Sequence, residues 1–264
     1  NSIGALWEIM PQHIEGRLDI SSASRFPNSD ELYLLGAAPT SPVFTYGNPQ
    51  LKKEKTRGIS PTLTLQTELV HVEVSSYANW MDDYIYFSPS LGENGDLLYK
   101  VTIRGAFPKY EFRQLDALFY GIDGGMTITP EEPLSLRLTG SVIRGIEQET
   151  QQFLVGVPAD QLTVSLFYRP SGLEKFSPEV ELRSRVVASQ SRIDDTLDFA
   201  PAPDGFTTFD AVFVASTPLK NSSIRWNLTA RNLTNEVYRE YTSLLRYYAD
   251  EPGRDIRLSM VFDF

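Results

Sequence analysis

Few residues of this chain have the type and spacing to do chemistry. There are two histidines and no cysteine, so there is no disulfide framework, no thiolate-held zinc or iron–sulfur centre and no thiol nucleophile. His71 shares a polar face with Glu73, and His13 sits in a short turn after Pro11. With no nucleophile-elbow motif, a Ser–His–Asp hydrolase has no signature here. Asp194, Asp195 and Asp198, with Asp204 nearby, would offer oxygen ligands to calcium, but their spacing matches no defined loop, and they read as a solvated surface segment. Gly121, Gly124 and Gly125 lie within an alternating stretch and mark a bend or bulge, not a phosphate cradle. No catalytic residue, metal-ligand set or cofactor is expected. What remains is recognition chemistry. Phe44 and Tyr46 in one long connection, and Tyr241, Arg246, Tyr247 and Tyr248 in another, combine aromatic faces with a cation. Such a set suits an anionic or aromatic metal chelate through stacking and charge-assisted bonds.

The elements that would position these residues are strands. Ile256, Leu258, Met260, Phe262 and Phe264 alternate with Arg257, Ser259, Val261 and Asp263. Ile224, Trp226, Leu228 and Ala230 alternate with Arg225, Asn227, Thr229 and Arg231. The same period of two runs through Val180–Val186, Leu162–Tyr168, Leu134–Leu138, Leu118–Ile128, Val70–Val74 and Ile14–Ile20. Period two over about ten residues is a strand with one apolar and one polar face. The fold class is all-β, with about eleven strands. No apolar run approaches the roughly 18–20 residues of a membrane-spanning helix. Asn1 opens no signal peptide, and the chain starts inside a strand (Ile3–Met10), as a mature product or a piece of something longer would.

Connections alternate strictly between short and long. Short ones fall at Pro11–His13, Thr67–Glu68, Pro130–Pro133, Pro170–Lys175 and Lys220–Ser222, and long ones at Pro27–Thr56, Pro89–Tyr110, Glu149–Asp160, Ser191–Gly205 and Thr234–Gly253. Tight turns at one rim and long loops at the other are the plan of an antiparallel up-and-down transmembrane β-barrel. The polar faces carry Glu15, Arg17, Arg137, Glu181, Arg183, Arg185, Arg225 and Arg257, which would face a hydrated lumen or a plug. Trp226, Tyr168, Phe262 and Phe264 near the short turns, and Trp80 and Tyr120 near the long loops, would form two interfacial belts. A soluble up-and-down barrel filled by the same apolar faces is the alternative that period alone leaves open. A formal charge of -10 and a pI near 4.8 exclude a nucleic-acid partner, because no Lys/Arg stripe neutralises phosphates. The three Asn-x-Ser/Thr sequons, at Asn221, Asn227 and Asn232, read as chance.

Several segments resemble the boxes of TonB-dependent outer-membrane receptors, in that family's order. Ser24-Arg25-Phe26-Pro27, followed by Glu31-Leu32-Tyr33, is similar to the Phe-Arg-Ala-Pro box and its Glu-Leu-Tyr, departing in its first and third residues. Gly47-Asn48-Pro49-Gln50-Leu51-Lys52-Lys53-Glu54 resembles the Gly-Asn-Pro-x-Leu-x-x-Glu box, and Asp83–Ser88 resembles the strand end that follows. Asn227–Tyr238 looks like the penultimate strand and its exit, and Pro252-Gly253-Arg254 with a strand ending at Phe264 looks like the closing strand.

The resemblance implies that residues 1–264 are the C-terminal part of a receptor barrel, about eleven strands of the 22 in plugged transporters, with the plug and N-terminal strands outside this sequence. Implied partners are that N-terminal barrel half and plug, in the same or a separate chain, the TonB complex reached through it, and outer-membrane lipid. The barrel-assembly machinery would read Phe262 and Phe264. The implied activity is uptake of a scarce small-molecule nutrient, a ferric siderophore or similar metal chelate, with no covalent catalysis. Residues 27–47 lack the histidine of the family's haem receptors. The alternatives are a self-contained twelve-stranded passive pore, or a recognition barrel paired with a separate N-terminal half.

Overall fold

Alternation becomes strands wherever it is sustained, and each short turn folds one strand back on the last. The structure is a computed structural model that describes every residue except 38–42, 132, 174, 194–196, 199 and 221. Its elements are β1 (Ser2–Met10), β2 (Ile14–Arg25), α1 (Ser29–Tyr33), β3 (Leu35–Ala37), β4 (Phe44–Tyr46), β5 (Glu54–Gln66), β6 (Val70–Pro89) and β7 (Tyr99–Thr102). These are followed by β8 (Gly105–Glu131), β9 (Leu134–Glu147), β10 (Gln161–Tyr168), β11 (Glu179–Val187), β12 (Phe206–Pro218), β13 (Ser223–Arg231) and β14 (Asp255–Asp263). Eleven of them form one antiparallel meander in the order β1-β2-β5-β6-β8-β9-β10-β11-β12-β13-β14, with β3, β4 and β7 off this path.

Register sorts the side chains of the membrane-crossing stretch into two faces. Directly paired residues share a face, and Leu63↔Val74, Ile122↔Val142, Leu166↔Leu182 and Leu228↔Leu258 carry one apolar face from strand to strand. Most of these residues are exposed. A soluble protein does not leave so wide an apolar band in water; lipid covers it. The soluble alternative would need that band inside. Glu15, Arg17, Arg137, Glu181, Arg183, Arg185, Arg225 and Arg257 all occupy the other face, as the pairs Glu15↔Thr64, Arg183↔Asp210 and Arg225↔Val261 illustrate. Among the described residues β1 and β14 do not pair with each other, so the meander is open rather than a closed twelve-stranded pore.

The glycine stretch of β8 holds no bulge, since its register with β6 and β9 is unbroken from Phe119 to Met126. Gly121 is required by packing: a Cβ there would lie 2.6 Å from the Tyr77 hydroxyl and 2.3 Å from the Val142 carbonyl. The β6 bulge falls instead between Met81 and Tyr84. There Asp83 adopts a positive φ of 56, and its N–H donates to Asp116 Oδ1 (3.0 Å). Above the bulge β6 and β8 continue as a hairpin. At about 3.3 Å per residue, the 27 residues of β8 run ~90 Å, far beyond the 9–11 that cross a bilayer. About half of the stretch read as the loop Pro89–Tyr110 is therefore paired strand, with β7 folded onto β8 at its tip.

The boxes that carry the resemblance build one junction at the long-loop rim. Arg25 donates through Nη1 to Glu31 (2.9 Å) and through Nε to Glu54 (3.1 Å), and Glu54 also accepts from the Ile85 N–H (3.0 Å). The Asn48 N–H donates to the Glu31 carbonyl (2.8 Å), and its side-chain amide donates to the Phe112 carbonyl (3.2 Å). Gly47 must be glycine, because a Cβ would lie 2.6 Å from the Tyr33 backbone nitrogen. At the exit of β13, Asn232 is buried with φ 49; its Oδ1 accepts from the Glu236 N–H and its Nδ2 donates to the Glu236 carbonyl, both at 2.8 Å. That turn delivers Tyr238 onto Phe206, ring centroids 4.2 Å apart.

Candidate functional site

Three long loops fold over the top of the β6–β8 hairpin and are bolted to one another. Residues 148–160 lay Leu154 and Val157 against Tyr86 and Ala117. The Tyr86 hydroxyl accepts from the Val155 N–H (2.9 Å), and the Tyr241 hydroxyl accepts from the Gly156 N–H (3.3 Å). Asp160 receives Arg144 on both oxygens and Arg192 from the next loop (2.8 Å). Its carboxyl is held below the usual carboxylate range, first by the hydrogen bond from Arg144, against the opposing effect of burial, with Arg192 adding to it. The Gln190 amide donates to the Val157 carbonyl (2.8 Å).

Between these loops lies a cleft of about 330 Å³ lined by Tyr84, Tyr86, Tyr110, Tyr241 and Tyr247 with Arg246, Asp198, Val43 and Val155. A short 3-10 turn at Leu244–Tyr247, whose first N–H groups are capped by Ser243, aims Arg246 inward. The guanidinium pairs with Asp198, donates to the Pro201 carbonyl (3.2 Å) and lies over the rings of Tyr241 (4.8 Å) and Tyr247 (4.4 Å). The Tyr247 hydroxyl donates to Asp198 (2.8 Å). Both charged side chains are closed off, Arg246 at 4% and Asp198 at 1% exposure. Asp198 is thus no solvated loop residue, because its charge is matched inside the fold; Asp194 and Asp195 lie outside the described residues. Among the described residues no group of three or more His, Asp or Glu side chains is placed to hold a metal. Burial pushes the Tyr241 and Tyr247 hydroxyls above the ordinary phenol value, so they stay protonated at neutral pH.

Of the loop residues singled out by sequence, Tyr241, Arg246 and Tyr247 come together at this cleft. Phe44 and Tyr46 do not line it. They lie on β4, which pairs parallel to β8, with their rings 5.2 Å apart and Lys109 over Tyr46 (4.8 Å). Tyr248 follows the turn and is exposed. Sequence reasoning passed over Tyr84, Tyr86 and Tyr110, and took Asp198 for part of a solvated surface segment rather than the partner of Arg246. The first two alternate in the Asp83–Ser88 box, a signal that they share a face; the others depend on which loops meet.

The luminal charges largely find partners inside the chain. Arg17 pairs with Asp19, Arg257 with Asp255 and Arg183 with Glu181, each two residues apart on one strand face. Arg185 reaches Glu240 and Gln161 and lies over Phe206, while Arg137 lies over the Phe167 ring (5.1 Å). Arg225 approaches Asp263 at 3.9 Å. Glu15 stands opposite Glu8, a like-charge pair. The demand for a plug to neutralise this wall is accordingly smaller than the sequence suggests. His71 Nδ1 contacts the Gln66 side chain beside the short turn. Phe262 pairs with Ile224 on the lipid face, and Phe264 follows it, ring centroids 5.4 Å apart.

Comparison with known proteins places this geometry. Residues 2–235 match the family described as TonB dependent receptor-like, beta-barrel. Among solved structures, the copper transporter OprC superposes with a TM-score of 0.76 at 17% identity, over 99% of this chain and 39% of that one. The FrpB iron transporter from Neisseria meningitidis (F3-3 variant) gives 0.65 at 16%, over 98% and 38%. The siderophore receptor PirA from Acinetobacter baumannii gives 0.67 at 14%, over 100% and 40%. The chain spans well under half the length of these proteins, and at such identity the likeness is one of fold. The family match, the open meander and its lipid-facing band agree: this chain belongs to the TonB-dependent receptor β-barrel family of the bacterial outer membrane.

Proposed function

We propose that residues 1–264 are the C-terminal barrel part of an active outer-membrane importer, working with a plug and N-terminal strands and energised through TonB, whose cargo is a ferric siderophore or similar metal chelate. The observation that carries this reading is the tyrosine-lined cleft at the long-loop rim. Arg246 is neutralised by Asp198, so the cleft is not an anion trap. It offers aromatic faces, which suit stacking on flat chelating groups, while the Tyr247 hydroxyl is already committed to Asp198. The barrel positions and releases; covalent catalysis has no part. The structural neighbours are copper and iron transporters and a siderophore receptor, which supports a cargo that carries a metal.

The test is uptake of radiolabelled ferric siderophores by iron-starved cells that depend on the complete protein. Uptake should require TonB and fall at least tenfold when Tyr110 and Tyr241 are both changed to Ala, with surface expression unchanged. Uptake independent of TonB, or ion conductance by the intact protein without plug movement, would favour a passive pore.

A further inference from the structure

Three tyrosines of the cleft are more than nine-tenths enclosed, and their hydroxyls differ in what they do. Those of Tyr86 and Tyr241 are held by the backbone N–H groups of Val155 and Gly156. Tyr110, at 7% exposure, makes no hydrogen bond among the described residues. The fully sealed side-chain atoms without a partner belong to Ser88, Ser90 and Arg192. The Tyr110 oxygen is not one of them, so it opens into the cleft that its residue lines. An enclosed hydroxyl without a partner costs free energy, which a ligand carrying an acceptor recovers.

This donor is held in place. Tyr110 stands in β8 between Pro89 of β6 and Thr45 of β4, and its ring packs on Phe87, centroids 5.1 Å apart. A donor on paired strands needs no reordering when a ligand arrives. Burial pushes the hydroxyl above the ordinary phenol value, with Tyr247 and Asp198 adding to the effect, so it keeps its proton. The other walls say what else the ligand must be. A cavity of about 150 Å³ is enough for benzene, and the cleft holds about 330 Å³. That is room for one substituted ring and its linker, not for a whole hexadentate chelate. Tyr86, Tyr241 and Tyr247 supply aromatic surface for the ring. Arg246 and Asp198 cancel each other, so a carboxylate entering here would lose its water and gain no free cation. A hydroxamate arm has no ring to set against the tyrosines.

We propose that the cleft takes a single aryl arm of the cargo, uncharged at the edge that enters, with Tyr110 donating a hydrogen bond to an acceptor on that arm while the metal stays outside. Tyr110 is then the residue that sets specificity. Chelates with aryl arms are selected over those built from hydroxamates or carboxylates, because a site with an unspent donor discriminates against arms that leave it unpaired. The inference rests on the importer reading for its cargo, but its test does not require transport.

Ligand-observed NMR on the complete receptor in detergent micelles, titrated with benzamide and referenced to empty micelles, tests this directly. Benzamide carries the ring and the acceptor without charge. It should bind the wild type saturably, benzoate should bind more weakly, and acetohydroxamic acid should give no saturable signal. Tyr110→Phe keeps the ring and removes the donor, so it should weaken benzamide binding by roughly fivefold, the worth of one such hydrogen bond. Tyr46→Phe, outside the cleft, should leave it unchanged. Val155→Trp fills the slot and should abolish binding, with heat-modifiable gel mobility reporting that each variant is folded. Equal affinity of the wild type and Tyr110→Phe overturns the proposal. So does a wild type that does not bind benzamide, or one that binds acetohydroxamic acid equally well. If benzamide behaves as expected but uptake of ferric chelates by cells is independent of TonB, the importer reading falls and the cleft assignment stands. TonB-dependent uptake by a receptor that ignores benzamide means the reverse.

Discussion

Arg246 holds the candidate site together by being fully occupied. Its guanidinium lies over two tyrosine rings and is closed against Asp198, so it fixes the walls of the cleft rather than projecting a field into it. Removing one member of a buried pair strands the other, typically at about 3–5 kcal/mol. Arg246→Ala should therefore open the loops locally, with amide exchange across residues 241–248 rising at least tenfold while the barrel's thermal midpoint moves little. The double variant Asp198→Asn/Arg246→Gln leaves no stranded charge and should recover most of that protection; failure to recover would mean that ring stacking, not charge pairing, fastens the turn. Arg25 presents a different case. It is 41% exposed while Glu54 is 6% exposed, so solvent softens the loss. Arg25→Ala should cost about 2 kcal/mol, below the fully buried case, read as a lower denaturation midpoint of the complete barrel. Glu54→Gln, which keeps an acceptor for the Ile85 N–H, should cost less.

The loops behave as one element because Asp160 joins two of them through Arg144 and Arg192. Its folded pKa is depressed, so the clamp's contribution is present above the ordinary aspartate value of about 3.9 and is lost as pH falls below it. Limited proteolysis within residues 148–160 and 188–193 should stay slow from neutrality to about pH 4 and accelerate below that, and Asp160→Asn should give the fast pattern at pH 7. An unchanged variant would show that the hydrogen bonds of Gln190 suffice. The sequence exposes elements of this protein unequally, and the reason is physical. Strands that cross lipid must alternate, so β9 to β14 are legible from period alone. The upper half of β6 and β8 is buried on more than one side, with Ile85, Tyr86, Ser88 and Tyr110 all enclosed. Alternation fades there, and Pro89–Tyr110 reads as loop. β3, β4 and β7 are three or four residues long and exist only because a neighbour supplies the pairing. The cleft is half legible for the same reason: Tyr241, Arg246 and Tyr247 are neighbours in sequence, whereas Asp198 and Tyr110 join them only through tertiary packing.

At the scale of the whole molecule the open edges constrain what completes it. Eleven antiparallel strands in a meander leave β1 and β14 running in the same direction. Joining them directly would require a parallel seam in an otherwise antiparallel wall, and a second copy of the chain would meet the first at two such seams. An insert restores antiparallel pairing at both edges only if it holds an odd number of strands; eleven would give the 22 of plugged transporters. Both edge strands are exposed along nearly their whole length, and unpaired strand edges seek partners. The 264-residue chain expressed alone should therefore aggregate or pair promiscuously, and give no heat-modifiable monomer. Because these 264 residues contain no cysteine, a pair introduced here can be read in the complete protein once any cysteine outside them has been replaced. Gly4→Cys in β1 and Ser259→Cys in β14 lie on the polar face, and on the proposed reading, in which further strands separate the two edges, a short bis-maleimide should fail to bridge them. Efficient bridging in a folded monomer would mean that the chain closes on itself, and the importer reading would give way to a small pore.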